Sequence, residues 1–288
     1  MRLFKTVLGD ISESDLGATL VHEHICCYSE YAYRMAGKDY LDKDALADTA
    51  TVYLNELKKK YCLATFVDCT PINIGRDVEL LKRISEQSEI NIICSTGFYY
   101  TDEPVLYNTS AEQLCKYMVA DAYAVNAGII KCAVENEAIT RFGEKLLRAC
   151  AKAHLCLGLP IVLHSNANNR NALKALEILF SEGVNPNAVT VGHLSDTDDL
   201  EYIKASHRRA ALLDLTDSIK THPKITYQKR HKVSWNFAKQ VMKIRYFCPT
   251  MLYSLTVLKL TLRFMSNQGF HTALTTFYHN CPSHYQIN

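Results

Sequence analysis

Along the first 207 residues, short apolar runs alternate with longer stretches in which apolar positions recur every three or four residues. The short runs are Ala18–Ile25 (ATLVHEHI), Ala64–Thr70 (ATFVDCT), Ile90–Gly97 (INIICSTG), Gly128–Val134 (GIIKCAV), Pro160–Ser165 (PIVLHS) and Ala188–Leu194 (AVTVGHL). They are rich in Val and Ile and nearly continuous in apolar character, as parallel strands buried on both faces should be. Two of the longer stretches, Ile139–Gly158 and Asn171–Gly183, are amphipathic and close on a glycine, a usual signal just past a helix C-terminus. Six strand-then-helix units of about 30 residues predict an α/β protein with a parallel sheet. A (β/α)8 TIM barrel needs eight such units in about 250 residues. A doubly wound sheet is the alternative, although no Gly-rich phosphate loop follows any of the six runs.

The pattern then breaks. All 30 Asp and Glu lie at or before Asp217, in a segment with 22 Lys and Arg and therefore a net charge of −8. Ser218–Asn288 carries ten Lys or Arg and no acid, a net of +10, and has Gly269 as its one glycine. Two kinds of sequence meet near residues 205–217. The expected organisation is barrel units one to six over residues 1–207, then a divergent basic segment, residues 208–288, in place of units seven and eight.

Composition narrows the class. A chain that is 48% hydrophobic and 22% charged is not mostly disordered. At 288 residues it can bury a core without disulfides. The opening MRLFKTVLGD lacks the apolar centre of a signal peptide, and the eleven cysteines have no regular spacing. They read as reduced cytosolic thiols, so a cytoplasmic protein is expected. No run of about 18 uncharged apolar residues is present to span a membrane.

Polar residues fall where the strands finish. His22 and His24 are two apart at the end of the first run, a spacing that points both to one face. Lys131 closes the fourth run, His164 the fifth and His193 the sixth. In a barrel the C-terminal strand ends converge on one mouth, where chemistry sits. Four histidines and a lysine there suit a divalent metal, and neutral imidazoles bind zinc, manganese, cobalt or nickel. Each has a bland alternative: a satisfied polar residue for a lone His, a snorkelling stem for Lys131. His154 and His207 fall in helical patterns and read as structural or surface residues. Beside cations in a partly dry site the Lys131 amine would be neutral more often, and a neutral amine adds carbon dioxide to form a carbamate.

The segment TVLGDISESDLGATLVHEHI resembles the opening of the phosphotriesterase family of the amidohydrolase superfamily. INIGRD, NIICSTGFYY, AGIIKCAVENEAIT, the region around VLHSN, and VTVGHLSDTDDLEYI continue the resemblance in order through residues 5–204. It implies a TIM barrel with a binuclear centre. His22 and His24 would bind the more buried ion, and His164 and His193 the more exposed one. Carbamylated Lys131 would bridge both, and a hydroxide between the ions would be the nucleophile. The implied cofactors are two divalent ions, zinc first with manganese, cobalt or iron as alternatives, and carbon dioxide as the lysine carbamate. The implied substrate is a small ester, lactone or phosphotriester. Tyr99 resembles a substrate-pocket tyrosine of the lactonase branch, with a plain structural aromatic as the alternative. Arg76 and Asp77 resemble the family's GRD turn. Asp196, Asp198 and Asp199 resemble its acidic cluster, although carboxylates at a helix N-terminus need no further role. Neither membrane nor nucleic acid is an expected partner; a homodimer is allowed.

The resemblance also implies an aspartate at the end of the eighth strand, which ligates the buried ion and takes the proton. No Asp or Glu follows Asp217, so the general-base Asp is missing and impaired activity is expected. Codons compatible with Ala211–Ser218 and Cys248–Leu252, read one base out of frame, spell stretches resembling the family's seventh and eighth strand ends. A frameshift near residues 205–211 accounts for both. The rival is a genuine basic tail binding nucleic acid or an acidic partner, with which Lys220, Lys224, Lys229, Arg230 and Lys232 are compatible. Cys248, His271, His279, Cys281 and His284 form no Cys-x-x-Cys zinc pair. The competing functional class is therefore a catalytically inactive family remnant or interaction protein.

Overall fold

A computed structural model describes residues 3–101, 103–210 and 212–213. The expectations for residues 214–288, including the eighth strand and the basic tail, lie outside the described residues.

The chain opens with an antiparallel hairpin, β1 (Leu3–Thr6) and β2 (Gly9–Ser12), which the hydrophobic pattern did not predict. Its four-residue strands are partly exposed and carry no apolar run to betray them. There follow β3 (Ala18–Glu23), α1 (Glu30–Ala36), α2 (Lys43–Tyr61), β4 (Leu63–Asp68), α3 (Val78–Ser88), β5 (Asn91–Gly97), α4 (Pro104–Asn108) and α5 (Ala111–Val125). The remainder is β6 (Ile129–Val134), α6 (Arg141–Leu157), β7 (Ile161–Ser165), α7 (Asn171–Ser181), β8 (Val189–Val191), α8 (Leu200–Arg209) and β9 (Leu212–Leu213). The strands β3 to β9 form one sheet in sequence order, every neighbouring pair parallel. All six expected strands are present. The two-residue β9 adds a seventh at the position where the family-type strand was not recognisable.

Helix limits follow from caps. Thr140 accepts from the Gly143 N–H at the start of α6, and Gly158 ends it in the left-handed region (φ 69°). Asp77 caps α3 by accepting from Leu80, and Asp199 caps α8 by accepting from Tyr202.

The sheet buries both faces, as the continuous runs predicted; every residue of β6 is buried. Phe66, Ile92, Ile130 and Leu163 join the large core shared with the helices. Val67, Ile93, Ile129 and Val162 form a second, separate cluster, joined by Leu16. Strand period two divides these sets, so the second cluster faces the interior of the curled sheet. Lys131 and His164 are two residues beyond Ile129 and Val162 and share their inward face. The curvature has a direct measure: the rings of His22, on the first strand of the sheet, and His193, just past the sixth, are 5.1 Å apart. In a flat sheet five strand spacings would separate them by about 24 Å. The described part is thus an incomplete TIM-type barrel.

Candidate metal centre

The five predicted side chains meet at the C-terminal mouth. Lys131 is fully buried, and its Nζ lies 2.5 Å from His22 Nε2. Ring centroids are 5.7 Å apart for His22 and His24, and 4.4 Å for His164 and His193. Two imidazoles on one tetrahedral ion, with metal–nitrogen bonds of about 2.0–2.1 Å, place their centroids about 5 Å apart. These two spacings bracket that value and the 5.1 Å between His22 and His193 matches it, so all four rings converge within reach of shared ions without the spacings sorting them into pairs. Among the described residues, no three His, Cys, Asp or Glu side chains converge closely enough to hold an ion by themselves. The arrangement that the family resemblance implies, two histidines for each ion and a shared group from Lys131, would not need such a trio.

Local chain geometry positions each side chain. His22 lies within β3, whereas His24 lies one residue past its end. His193 departs further from expectation: β8 stops at Val191, and His193 adopts a left-handed backbone (φ 61°, ψ 22°) at the head of a short 3-10 turn. That turn cannot continue a strand, so the pattern through Leu194 overran by three residues. Two glycines clear the space. A Cβ on Gly97, which has φ 109°, would sit 2.0 Å from the Lys131 carbonyl oxygen. A Cβ on Gly192 would sit 2.9 Å from His22 Cε1.

Burial first, then the nearby Lys131, holds both His22 and His24 well below the ordinary imidazole pKa. Both rings are therefore neutral, the form that binds metal. His24 Nδ1 lies 2.9 Å from Thr70 Oγ1. Tyr99 lies at the mouth, its hydroxyl 3.4 Å from His164 Nε2. Burial, then the Glu135 charge, pushes its pKa well above the usual phenol value.

Other resembling residues serve the framework. Arg76 makes a two-pronged ion pair with Asp121, at 2.6 and 2.7 Å, and donates to the Ser95 carbonyl. Asp77 pairs with Lys43 at 2.7 Å besides capping α3. Asp199, the cap of α8, pairs with Arg170 at 2.9 Å, while Asp196 lies in the 3-10 turn and Asp198 just before α8. His154 lies in the last turn of α6, its Nδ1 2.7 Å from the Leu159 carbonyl, and His207 lies in α8; neither joins the mouth.

Two carboxylates near the mouth escaped the sequence reading. Asp68, 1% exposed at the end of β4, accepts from the Ile25 and Thr70 N–H groups at 2.8 and 2.9 Å. It braces the loops that carry His24 and its hydroxyl neighbour. Burial pushes its pKa up against those hydrogen bonds. Glu135, just after β6, lies 2.8 Å from His164. Their signal was position alone: each is an acid at a strand end.

The family model described as the phosphotriesterase family matches residues 2–272, a span that runs past residue 208 into the basic segment. The aryldialkylphosphatase of Saccharolobus solfataricus is 33% identical over 215 residues, covering 71% of this chain and 67% of that protein. The phosphotriesterase homology protein of Mycobacterium tuberculosis is 32% identical, covering 69% and 65%. Human N-acetyltaurine hydrolase is 27% identical, covering 67% and 65%. The chain thus spans about two thirds of the length of these relatives. The solved structure of the Mycobacterium tuberculosis phosphotriesterase superposes with a TM-score of 0.77 at 28% identity, covering 84% of this chain and 78% of that one. Matched over most of its length in sequence and in fold, the chain belongs to the phosphotriesterase family.

Proposed function

We propose that this chain is a divalent-metal-dependent hydrolase of a small lactone, carboxylic ester or phosphotriester, with activity impaired by the missing eighth-strand aspartate. The observation that carries the reading is the fully buried Lys131 against His22, whose ring is one of four converging imidazoles at one barrel mouth. His22 and His24 would hold one ion, His164 and His193 the other, and Lys131 both, as a carbamate. When bound, the ions would supply an activated water and polarise the oxygen under attack. Tyr99 would orient a substrate oxygen beside His164, since its high pKa keeps the phenol a hydrogen-bond donor. The proton acceptor of family members has no counterpart among the residues after Asp217. The hydrolase names of the relatives support the reaction class.

The test uses the purified full-length chain. Metal per chain is measured, then turnover of a lactone, an aryl carboxylic ester, an aryl dialkyl phosphate and an N-acyl amide. Stoichiometric metal with slow turnover of at least one is expected. A second version, with residues from 211 onward in the shifted frame, should turn over far faster. No metal and no turnover in either version would leave the inactive-remnant reading standing instead.

A further inference from the structure

We infer that Glu135 is a positioning residue for His164, holding that ring as its Nε2–H tautomer so that Nδ1 is the nitrogen presented to an ion. The inference rests on the reading of His164 as a ligand. Glu135 follows β6 directly, four residues after Lys131, so the strand that buries the lysine also delivers this carboxylate to the mouth. Glu135 Oε2 lies 2.8 Å from His164 Nε2. Its Oε1 accepts from Asn166 Nδ2 at 3.3 Å. Its peptide carbonyl accepts from Asn166 Nδ2 at 3.3 Å and Asn169 Nδ2 at 3.4 Å. The loop that follows His164 therefore grips Glu135 by side chain and backbone together.

An ionised carboxylate has acceptors only, so the ring nitrogen facing it carries the hydrogen. The Tyr99 hydroxyl stands near the same nitrogen, leaving Nε2 surrounded by oxygens of the protein. A neutral imidazole has one N–H, and Nδ1 keeps its lone pair. A carboxylate on the far nitrogen fixes ring orientation and raises the basicity of the near one. His24 is braced in the opposite sense, with Thr70 at Nδ1 and Nε2 left for an ion. His24 and His164 thus offer opposite ring nitrogens.

Metal-free full-length protein is titrated with Zn2+ against a chromophoric chelator, with circular dichroism confirming the fold of each variant. Glu135→Ala should weaken one of two sites by about 10–100-fold and leave the other unchanged. Glu135→Gln keeps an acceptor and should recover part of the loss; Glu137→Gln, at an exposed neighbour, should match wild type. Unchanged affinity in Glu135→Ala overturns the inference. So does a Glu135→Gln loss as complete as that of His164→Ala, which would make Glu135 a ligand. If wild type takes up no Zn2+, the metal reading itself fails. The nitrogen-15 spectrum of histidine-labelled, metal-free protein still decides the tautomer, with the His164 signals assigned by their loss in His164→Gln. Nε2–H is expected, and Nδ1–H overturns the inference.

Discussion

His22 and His24 come from one strand end, two residues apart, whereas His164 lies in β7 and His193 in the turn after β8, 29 residues on in the chain. The first pair is braced mainly by buried backbone: Asp68 holds the Ile25 and Thr70 amides, and Thr70 meets His24. The second is braced at His164 by side chains at the more open rim, Glu135 at the ring nitrogen and Tyr99 beside the same ring. Damage to the first half should therefore register as lost stability as well as lost binding. Damage to the second should register chiefly as binding, since partly exposed groups can find water when a partner is removed.

Lys131 is the element common to both halves, and its removal should have the largest effect. Lys131→Ala should deplete both ions and lower hydrolysis by about a thousandfold or more, against loss centred on one ion in His164→Ala. Metal content by mass spectrometry and turnover by lactone hydrolysis read this. Partial rescue by a short-chain carboxylate would support the bridging carbamate. Activity equal to wild type in Lys131→Ala would remove the bridge from the scheme and make the halves independent.

Asp68→Ala sharpens the contrast at intermediate size. It strands two buried N–H groups, at about 1–3 kcal/mol each, partly offset by no longer burying a carboxylate whose pKa is pushed up. A net destabilisation of about 2 kcal/mol is expected in urea unfolding. Glu135→Ala, at the rim, should cost well under 1 kcal/mol in the same assay. Equal losses would mean the two halves are braced alike.

The same contrast explains what the sequence could disclose. His-x-His at a strand end declares the buried half outright, because strand periodicity alone puts both rings on one face. The open half needs the fold: His164 and His193 become neighbours only when parallel strands bring β7 beside β8 and the chain turns left-handed at His193. The strand interiors were legible because burial on both faces demands unbroken apolar runs. Their ends were not, since a left-handed turn at a non-glycine residue leaves no hydrophobic signature. Asp68 and Glu135 stayed hidden because each acts through a single contact geometry rather than a repeated pattern. The β1–β2 hairpin was hidden for the converse reason, its four-residue strands having no apolar run to show.

The remaining expected effect is the acid sensitivity of the buried half without metal. His22 and His24 have pKa values well below 6.5 in the folded state, from burial and then Lys131. In the unfolded chain both titrate near 6.5. Between those limits the unfolded state binds more protons, so stability rises with pH and is lost as pH falls below about 6.5. At pH 6 the cost relative to pH 8 should be about 1 kcal/mol for each of the two rings, since folded values well below that pH leave both rings unprotonated in the fold. Urea unfolding of chelator-treated protein at the two pH values measures it. His22→Asn removes one titrating ring, so its stability should fall by about 1 kcal/mol less than wild type over the same interval. The comparison between variants cancels the histidines elsewhere in the chain. If wild type and His22→Asn lose stability equally on acidification, His22 is protonated in the fold, and the buried half is not the neutral pair that a metal ion requires.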